Sequence, residues 1–303
     1  NGTSKLAETA APITFTDPTQ RGNQWSFSAT PRHLSSGNAP DTPYAGKFYQ
    51  FLNGTPQTNS LEDNLWVWQP DVGFEREGRI GLSAHLGTSP IGGAVDPTPT
   101  LGIRLSSAQW YLDLHRWTVK DSILAYTGLE DPYSSHEWGR VLRNGISAGA
   151  TWNIFNDYWF NASGSYEFYT GERLWDNNSV HFNAAAGRTF DHRGDELTLG
   201  VFFTAQHYRR NSDFYTYGHG GYYSPELMTL VGPFVRYRSA LCRTYWFDVQ
   251  VSAGWLHQEL DDSPVYPLFN GNVAGFTPAA AADALAEYQG DSDDKLGVSA
   301  KIQ

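Results

Sequence analysis

The stretch Tyr245-Trp246-Phe247-Asp248-Val249-Gln250-Val251-Ser252-Ala253-Gly254-Trp255-Leu256-His257 alternates strictly. One face reads Tyr245, Phe247, Val249, Val251, Ala253, Trp255; the other reads Trp246, Asp248, Gln250, Ser252, Gly254. A period of two is the mark of a β-strand whose faces meet unlike surroundings. Tyr158–Tyr169 repeats it, with Tyr158, Phe160, Ala162, Gly164, Tyr166, Phe168 opposed to Trp159, Asn161, Ser163, Ser165, Glu167, Tyr169. Leu197, Leu199, Val201 and Phe203 oppose Thr198, Gly200 and Thr204, with Phe202 breaking the pattern. Trp110, Leu112 and Leu114 oppose Tyr111, Asp113 and His115.

These runs last about ten residues, the length a tilted strand needs to cross a bilayer. Aromatics such as Tyr158, Phe168, Tyr245 and Trp255 stand at the ends of the apolar faces, as in the girdles of membrane barrels. Links also sort by length. Ser106–Ala108, Phe155–Asp157, Asp191–Asp195 and Ser239–Arg243 are short; Thr118–Asn144, Arg209–Met228 and Gln258–Asp293 are long, and the two kinds alternate. Outer-membrane barrels alternate short periplasmic turns with long outer loops in this way. The expected fold is therefore all-β, a transmembrane antiparallel up-and-down β-barrel filling residues 1–303 as one domain, with about fourteen strands visible. The less regular early strands fall at Pro12–Asp17, Trp25–Leu34, Tyr44–Leu52, Leu65–Gly73, Arg79–Leu86 and Leu101–Ser106, and the last at Lys295–Gln303. One helical stretch stands out, Pro278–Tyr288, inside a long loop.

Composition narrows the function. The 303 residues carry 21 Lys plus Arg against 32 Asp plus Glu, a net charge of −11, and no basic stripe, so nucleic acid is not an expected partner. Aromatics at 15% exclude disorder, and the single Cys242 excludes a disulfide scaffold. Apolar runs near twenty residues, the sign of a membrane helix, do not occur. Neighbouring carboxylates at Glu130-Asp131, Asp261-Asp262 and Asp293-Asp294 are all expected in loops and do not establish a glycosidase pair. The nine His show no zinc-ligand spacing. No enzyme activity, metal or cofactor is expected.

Tyr217-Gly218-His219-Gly220-Gly221-Tyr222-Tyr223-Ser224-Pro225-Glu226 contains a Gly-Gly-Tyr-Tyr-Ser-Pro block. That block resembles a signature in the C-terminal outer-membrane barrel of the cellulose-export porin family, the outer-membrane component of bacterial cellulose synthase. Leu86-Gly87-Thr88-Ser89-Pro90, Ser122-Ile123-Leu124-Ala125-Tyr126, Glu130-Asp131-Pro132 with Trp138-Gly139, and Val265-Tyr266-Pro267-Leu268 fit the same family in the same order. So does the opening strand Pro12-Ile13-Thr14-Phe15. The resemblance implies a barrel of about sixteen strands in a Gram-negative outer membrane, following a periplasmic tetratricopeptide scaffold. Against that pattern the scaffold and about two C-terminal strands are missing here. It also implies passive export of a nascent β-glucan, cellulose foremost. The implied partners are that polymer, outer-membrane lipid, and periplasmic and inner-membrane cellulose synthase components reached through the scaffold.

A neutral glucan offers hydroxyls and flat C–H faces, which carboxylates, amides and aromatic rings can meet. Tyr111, Asp113, Trp159, Glu167, Tyr169, Trp246, Asp248 and Gln250 are the inward candidates for contact with it, forming an aromatic- and acid-lined lumen. Gly218, His219, Gly220, Gly221, Tyr222, Tyr223 and Pro225 form a loop that either narrows the outer mouth or folds in as a brace. Two rival readings are a general diffusion porin and a secreted β-sandwich that binds or cleaves polysaccharide.

Overall fold

The computed structural model describes residues 6–19, 22–36, 64–131, 135–155, 157–192, 194–239 and 247–302. The first strands are β1 (Ala7–Ala10), β2 (Ile13–Thr19), β3 (Asn23–Ser35), β4 (Asn64–Arg76), β5 (Gly81–Thr88), β6 (Pro99–Ser106) and β7 (Trp110–Thr118). A short helix α1 (Ile123–Thr127) and the two-residue β8 (Leu129–Glu130) precede β9 (Glu137–Phe155). Then come β10 (Tyr158–Glu172), β11 (Asn177–His192), β12 (Asp195–Tyr208), β13 (Leu227–Ser239) and β14 (Phe247–Leu260). The chain continues through β15 (Ser263–Pro264), α2 (Pro278–Ala284), β16 (Glu287–Tyr288) and β17 (Asp291–Ile302).

Each long strand pairs antiparallel with the next, giving one 15-stranded up-and-down sheet; β15 and β16 form a separate pair. β1 and β2 share one edge of β3 and act as a single strand broken at Ala11-Pro12. Pro12 has no N–H to give, while the Ala11 amide still donates to Pro31. Pro233 has the same effect inside β13: the β13–β14 ladder lapses between Val231↔Trp255 and Phe234↔Ser252. Short turns join β4–β5, β6–β7, β9–β10 and β11–β12 at one end of the sheet. The opposite end carries the long segments, except that β10 reaches β11 in four residues. Among the described residues no ladder joins β17 to β1 or β2.

Register aligns the apolar faces into one band. Across the sheet Phe15, Phe27, Val72, Leu86 and Leu101 are successive Cα partners. So are Ile103, Leu114, Ile146, Tyr166 and Val180, and then Phe203, Val231, Trp255 and Leu296. All of these lie between 37% and 81% exposed. Phe247 and Val251 belong to the same band and, among the described residues, pack against no second sheet, which removes the β-sandwich reading. The opposite row, Tyr111, Gly149, Ser163, Asn183 and Thr204, is small and polar apart from its leading ring.

Buried apolar side chains gather mainly at the long-connection end. α1 is wholly buried. Its Ile123, Leu124 and Tyr126 pack with Leu34, Leu65 and Val67 at the ends of β3 and β4, with Trp138, and with Tyr215 and Tyr217. The expected loop Thr118–Asn144 is thus shorter than read: β9 begins at Glu137, and α1 fills part of the interval. Ser122 caps α1 by accepting from the Ala125 amide, and Gly128 ends it at φ 74°. α2 covers only Pro278–Ala284 of the expected helix; Glu287–Tyr288 is strand instead, and Glu130 and Asp293-Asp294, expected in loops, lie in β8 and β17. The expected strand Tyr44–Leu52 lies outside the described residues, and β3 pairs directly with β4.

Gly139 (φ 101°) lets β9 pass against α1: a β-carbon there would stand 2.5 Å from Leu124 Cδ1 and 2.6 Å from its carbonyl oxygen. Gly139→Ala is therefore expected to destabilise the folded chain by about 1–3 kcal/mol, through backbone strain and overpacking. Equilibrium unfolding in detergent measures this; an unchanged midpoint contradicts the packing described.

Candidate functional site

On the polar face, aromatic rings lie flat against glycines of the neighbouring strand. A β-carbon would stand 2.5 Å from the Tyr111 ring at Gly149 and 2.8 Å from Trp159 at Gly187. At Gly102 and Gly200 it would stand 2.3 Å from Trp117 and 2.5 Å from Phe234. Glycine gives each ring room to lie along the wall. Phe202, the break in its strand's alternation, also lies on this face, with its ring 3.2 Å from the β-carbon position at Gly254.

The carboxylates on this face are matched rather than free. The Tyr169 hydroxyl donates to Glu167 Oε2 at 2.6 Å. His115 lies between two acids, its Nδ1 2.6 Å from Asp113 and its Nε2 3.4 Å from Glu167. Arg143 stands 3.8 Å from Glu167, and His181 3.9 Å. Asp248 is gripped at both oxygens by Arg236, at 2.9 and 2.5 Å. Asp71 accepts from His85 at 3.2 Å. Glu167, Tyr169 and Asp248 are buried side chains of this face whose polar atoms are engaged by their neighbours. Tyr111, Asp113 and Trp159 are half-buried on the same face, Gln250 is exposed there, and Trp246 lies outside the described residues.

Below the buried end opens a cavity of about 520 Å³. Its lining joins Ser28, Thr30 and Arg32 of β3 and Gln69 and Asp71 of β4 to Arg143, Tyr169, Tyr208 and Tyr222. Trp117 to Lys120 complete it. The sheet thus curls until β3 and β12 face one space. Tyr169 and Tyr222 stack at 5.0 Å and 10°, with Tyr208 beside them. Sequence reasoning missed Trp117, Lys120, Arg143 and Tyr208. Parity alone could have found three of them, since Trp117 continues Tyr111–Asp113–His115, Arg143 continues Ser147–Gly149–Thr151 and Tyr208 continues Gly200–Thr204–Gln206.

The glycine-rich loop folds inward as the brace. Gly218 and Gly221 adopt φ 104° and 62°, and a β-carbon at Gly220 would stand 2.5 Å from the Tyr222 ring. Asn177 donates to the Tyr222 hydroxyl at 3.0 Å. The Tyr223 amide donates to Asp121 at 3.1 Å, and its hydroxyl to Gln258 at 2.8 Å. The Pro225 carbonyl accepts from Tyr208, and Ser224 accepts from the Ser212 amide. His219 is wholly buried; its Nε2 donates to the Pro264 carbonyl at 2.8 Å, tying this loop to the segment after β14. Only Tyr222 of the loop reaches the cavity. Among the described residues no three His, Cys, Asp or Glu gather as a metal site.

Burial, partly offset by the Pro264 contact, lowers the His219 pKa to about 4. The imidazole is neutral when folded, whereas the unfolded chain takes up a proton near pH 6.5. Stability is thus full above pH 6.5 and falls as the pH drops toward 4, by on the order of 3 kcal/mol. Hydrogen-exchange protection factors in the segment after β14, corrected for the intrinsic slowing of exchange in acid, are expected to fall over that window, and His219→Gln to flatten the trend. A pH-independent protection factor in the parent protein contradicts this.

Residues 4–303 match the family described as Cellulose synthase operon protein C C-terminus. Cellulose synthase operon protein C of Komagataeibacter xylinus is 29% identical over 324 residues, covering 97% of this chain and 24% of that protein. The protein of that name from Pseudomonas fluorescens (strain SBW25) is 27% identical, over 98% of this chain and 22% of its own length. The one from Xanthomonas axonopodis pv. citri (strain 306) is 31% identical, over 62% of this chain and 13% of its own length. The chain thus spans about a quarter or less of these curated relatives. The resemblance carried by Gly220-Gly221-Tyr222-Tyr223-Ser224-Pro225 is borne out, and the chain belongs to the cellulose synthase operon protein C C-terminal family.

Proposed function

We propose that this chain is an outer-membrane conduit through which a nascent β-glucan, cellulose foremost, leaves the cell by passive conduction. The observation that carries this reading is the two-faced sheet. One face is a continuous exposed apolar band; the other is polar and bears flat aromatic rings. A band of that kind suits lipid, where strands cross only if their backbone groups are paired.

The relatives' names refer to a cellulose synthase operon, which supports the choice of polymer class. Trp117, Trp159 and Phe234 offer aromatic surface to pyranose C–H faces, while the Tyr111 ring is covered by Arg104 at 4.2 Å. Ser163, Asn183 and Thr204 offer hydroxyl and amide partners. Weak, repeated contacts of this kind let a polymer slide. The chain itself performs no catalysis; movement is driven by the inner-membrane synthase that extends the glucan. The α1 and glycine-rich loop cluster braces the long-connection end beside the cavity.

A general diffusion porin is the rival. Planar-bilayer recording with the protein in lipid separates the two. Steady conductance blocked by cellopentaose is expected, and Trp117→Ala with Trp159→Ala should weaken the block by about three- to tenfold. Conductance indifferent to cellopentaose would point to the general porin, and no conductance would remove the pore reading.

A further inference from the structure

The ionisable side chains that line the 520 Å³ cavity are Arg32, Lys120, Arg143 and Asp71, besides three tyrosines. Three of these four are cations, in a chain whose net charge is −11. Their counter-charges are mostly committed: Asp121, whose carboxylate also attracts Arg143, accepts from the Tyr223 amide. Arg32 is paired with Glu8 of β1. The one acid on the lining, Asp71, has His85 at 3.2 Å. Glu167, 3.8 Å from Arg143, takes the Tyr169 hydroxyl at 2.6 Å and has His115 nearer than the arginine. Lys120 sits over the Tyr126 ring at 5.3 Å. Burial and the like charge of Arg32 lower its proton affinity, and no carboxylate among the described residues counters them. Lys120 and Arg143 are both exposed on the cavity wall, and cations facing one space raise the local concentration of anions.

We propose that this cavity is a subsite for a glucan unit bearing an anionic substituent, a carboxylate or a phosphate half-ester. Lys120 and Arg143 take the charge, and the cavity's tyrosines take the sugar. This rests on the glucan-conduit reading above and refines its substrate class. A volume of about 520 Å³ lies in the range of small-ligand sites and accommodates a sugar together with its substituent. Neutral cellulose needs ring faces and hydroxyl partners only, and it makes no use of the cations on the cavity wall.

The test measures binding to the full chain in detergent. Its probes are cellopentaose, cellopentaose oxidised at C6 to carboxylates, and inorganic phosphate as competitor. At about 50 mM NaCl the carboxylated oligosaccharide is expected to bind about tenfold tighter than the neutral one, the advantage fading near 500 mM as screening shortens. Lys120→Gln with Arg143→Gln should abolish that advantage, with the heat-shifted gel mobility of folded barrels as a folding check. Should the variant not fold, the salt series on the parent protein decides by itself. Equal affinity for the two oligosaccharides overturns the subsite and leaves the conduit standing. Displacement by inorganic phosphate at equal concentration overturns it too, since that marks a plain anion site. Binding of neither oligosaccharide counts against the conduit itself, and the subsite falls with it.

Discussion

The structure depends on one constraint: backbone pairing along each ladder consumes the N–H and C=O groups and leaves side chains alone to face two unlike surroundings. The pleat sends successive residues to opposite faces, so a slip of one residue would invert every strand. Register forbids that slip here. Phe27 opposite Val72 and Ile146 opposite Tyr166 hold apolar with apolar, while Ser163 opposite Asn183 holds polar with polar. The rings on the polar face use the same register, because Tyr111, Trp159 and Phe234 lie against glycines directly across from them and Trp117 against one on the diagonal.

Curling the sheet creates a second problem, which the long segments solve. One end of the inner space is filled by short motifs that lie far apart in sequence. Arg140 donates to Ser89 Oγ at 2.6 Å and to the Pro90 carbonyl at 2.7 Å, fastening the segment after β5 to β9. α1 sits on Gly139, Gly221 sits on Ser122 and Leu124, and Gly218 sits on Pro267. Ser89-Pro90, Ser122–Tyr126, Trp138-Gly139, the Tyr-Tyr-Ser-Pro block and Val265–Leu268 are therefore parts of one buried assembly. Their wide spacing in the chain reflects the loop-and-strand rhythm, and their meeting explains why such short segments carry the family likeness.

Strands were legible because alternation is local: Tyr158–Tyr169 and Trp110–His115 announce both their faces and their conformation. The inward side of Tyr111, Asp113, Trp159, Glu167 and Asp248 follows from the same parity. Pairing was not legible. His115 and Glu167 meet only because β7 and β10 flank β9, and Arg236 reaches Asp248 only through the β13–β14 register. The engagement of these carboxylates, and the positive excess at Lys120, are properties of register rather than of composition. α1 escaped notice because a five-residue helix has too few turns for a helical period; a serine cap and tertiary burial hold it. The glycine-rich loop announced its freedom of φ but not its direction, which Pro264, Asp121 and Asn177 determine from distant segments.

Single-cysteine spin labels along β12, from 197 to 206 on a background lacking Cys242, test the central claim in lipid vesicles. The account predicts that labels at Leu197, Leu199, Val201 and Phe203 collide with membrane-dissolved oxygen. Labels at Thr198, Gly200, Phe202 and Thr204 collide instead with a water-soluble nickel chelate, so the two profiles run out of phase with period two. Profiles that rise and fall together, or oxygen exposure on the even positions, would contradict it.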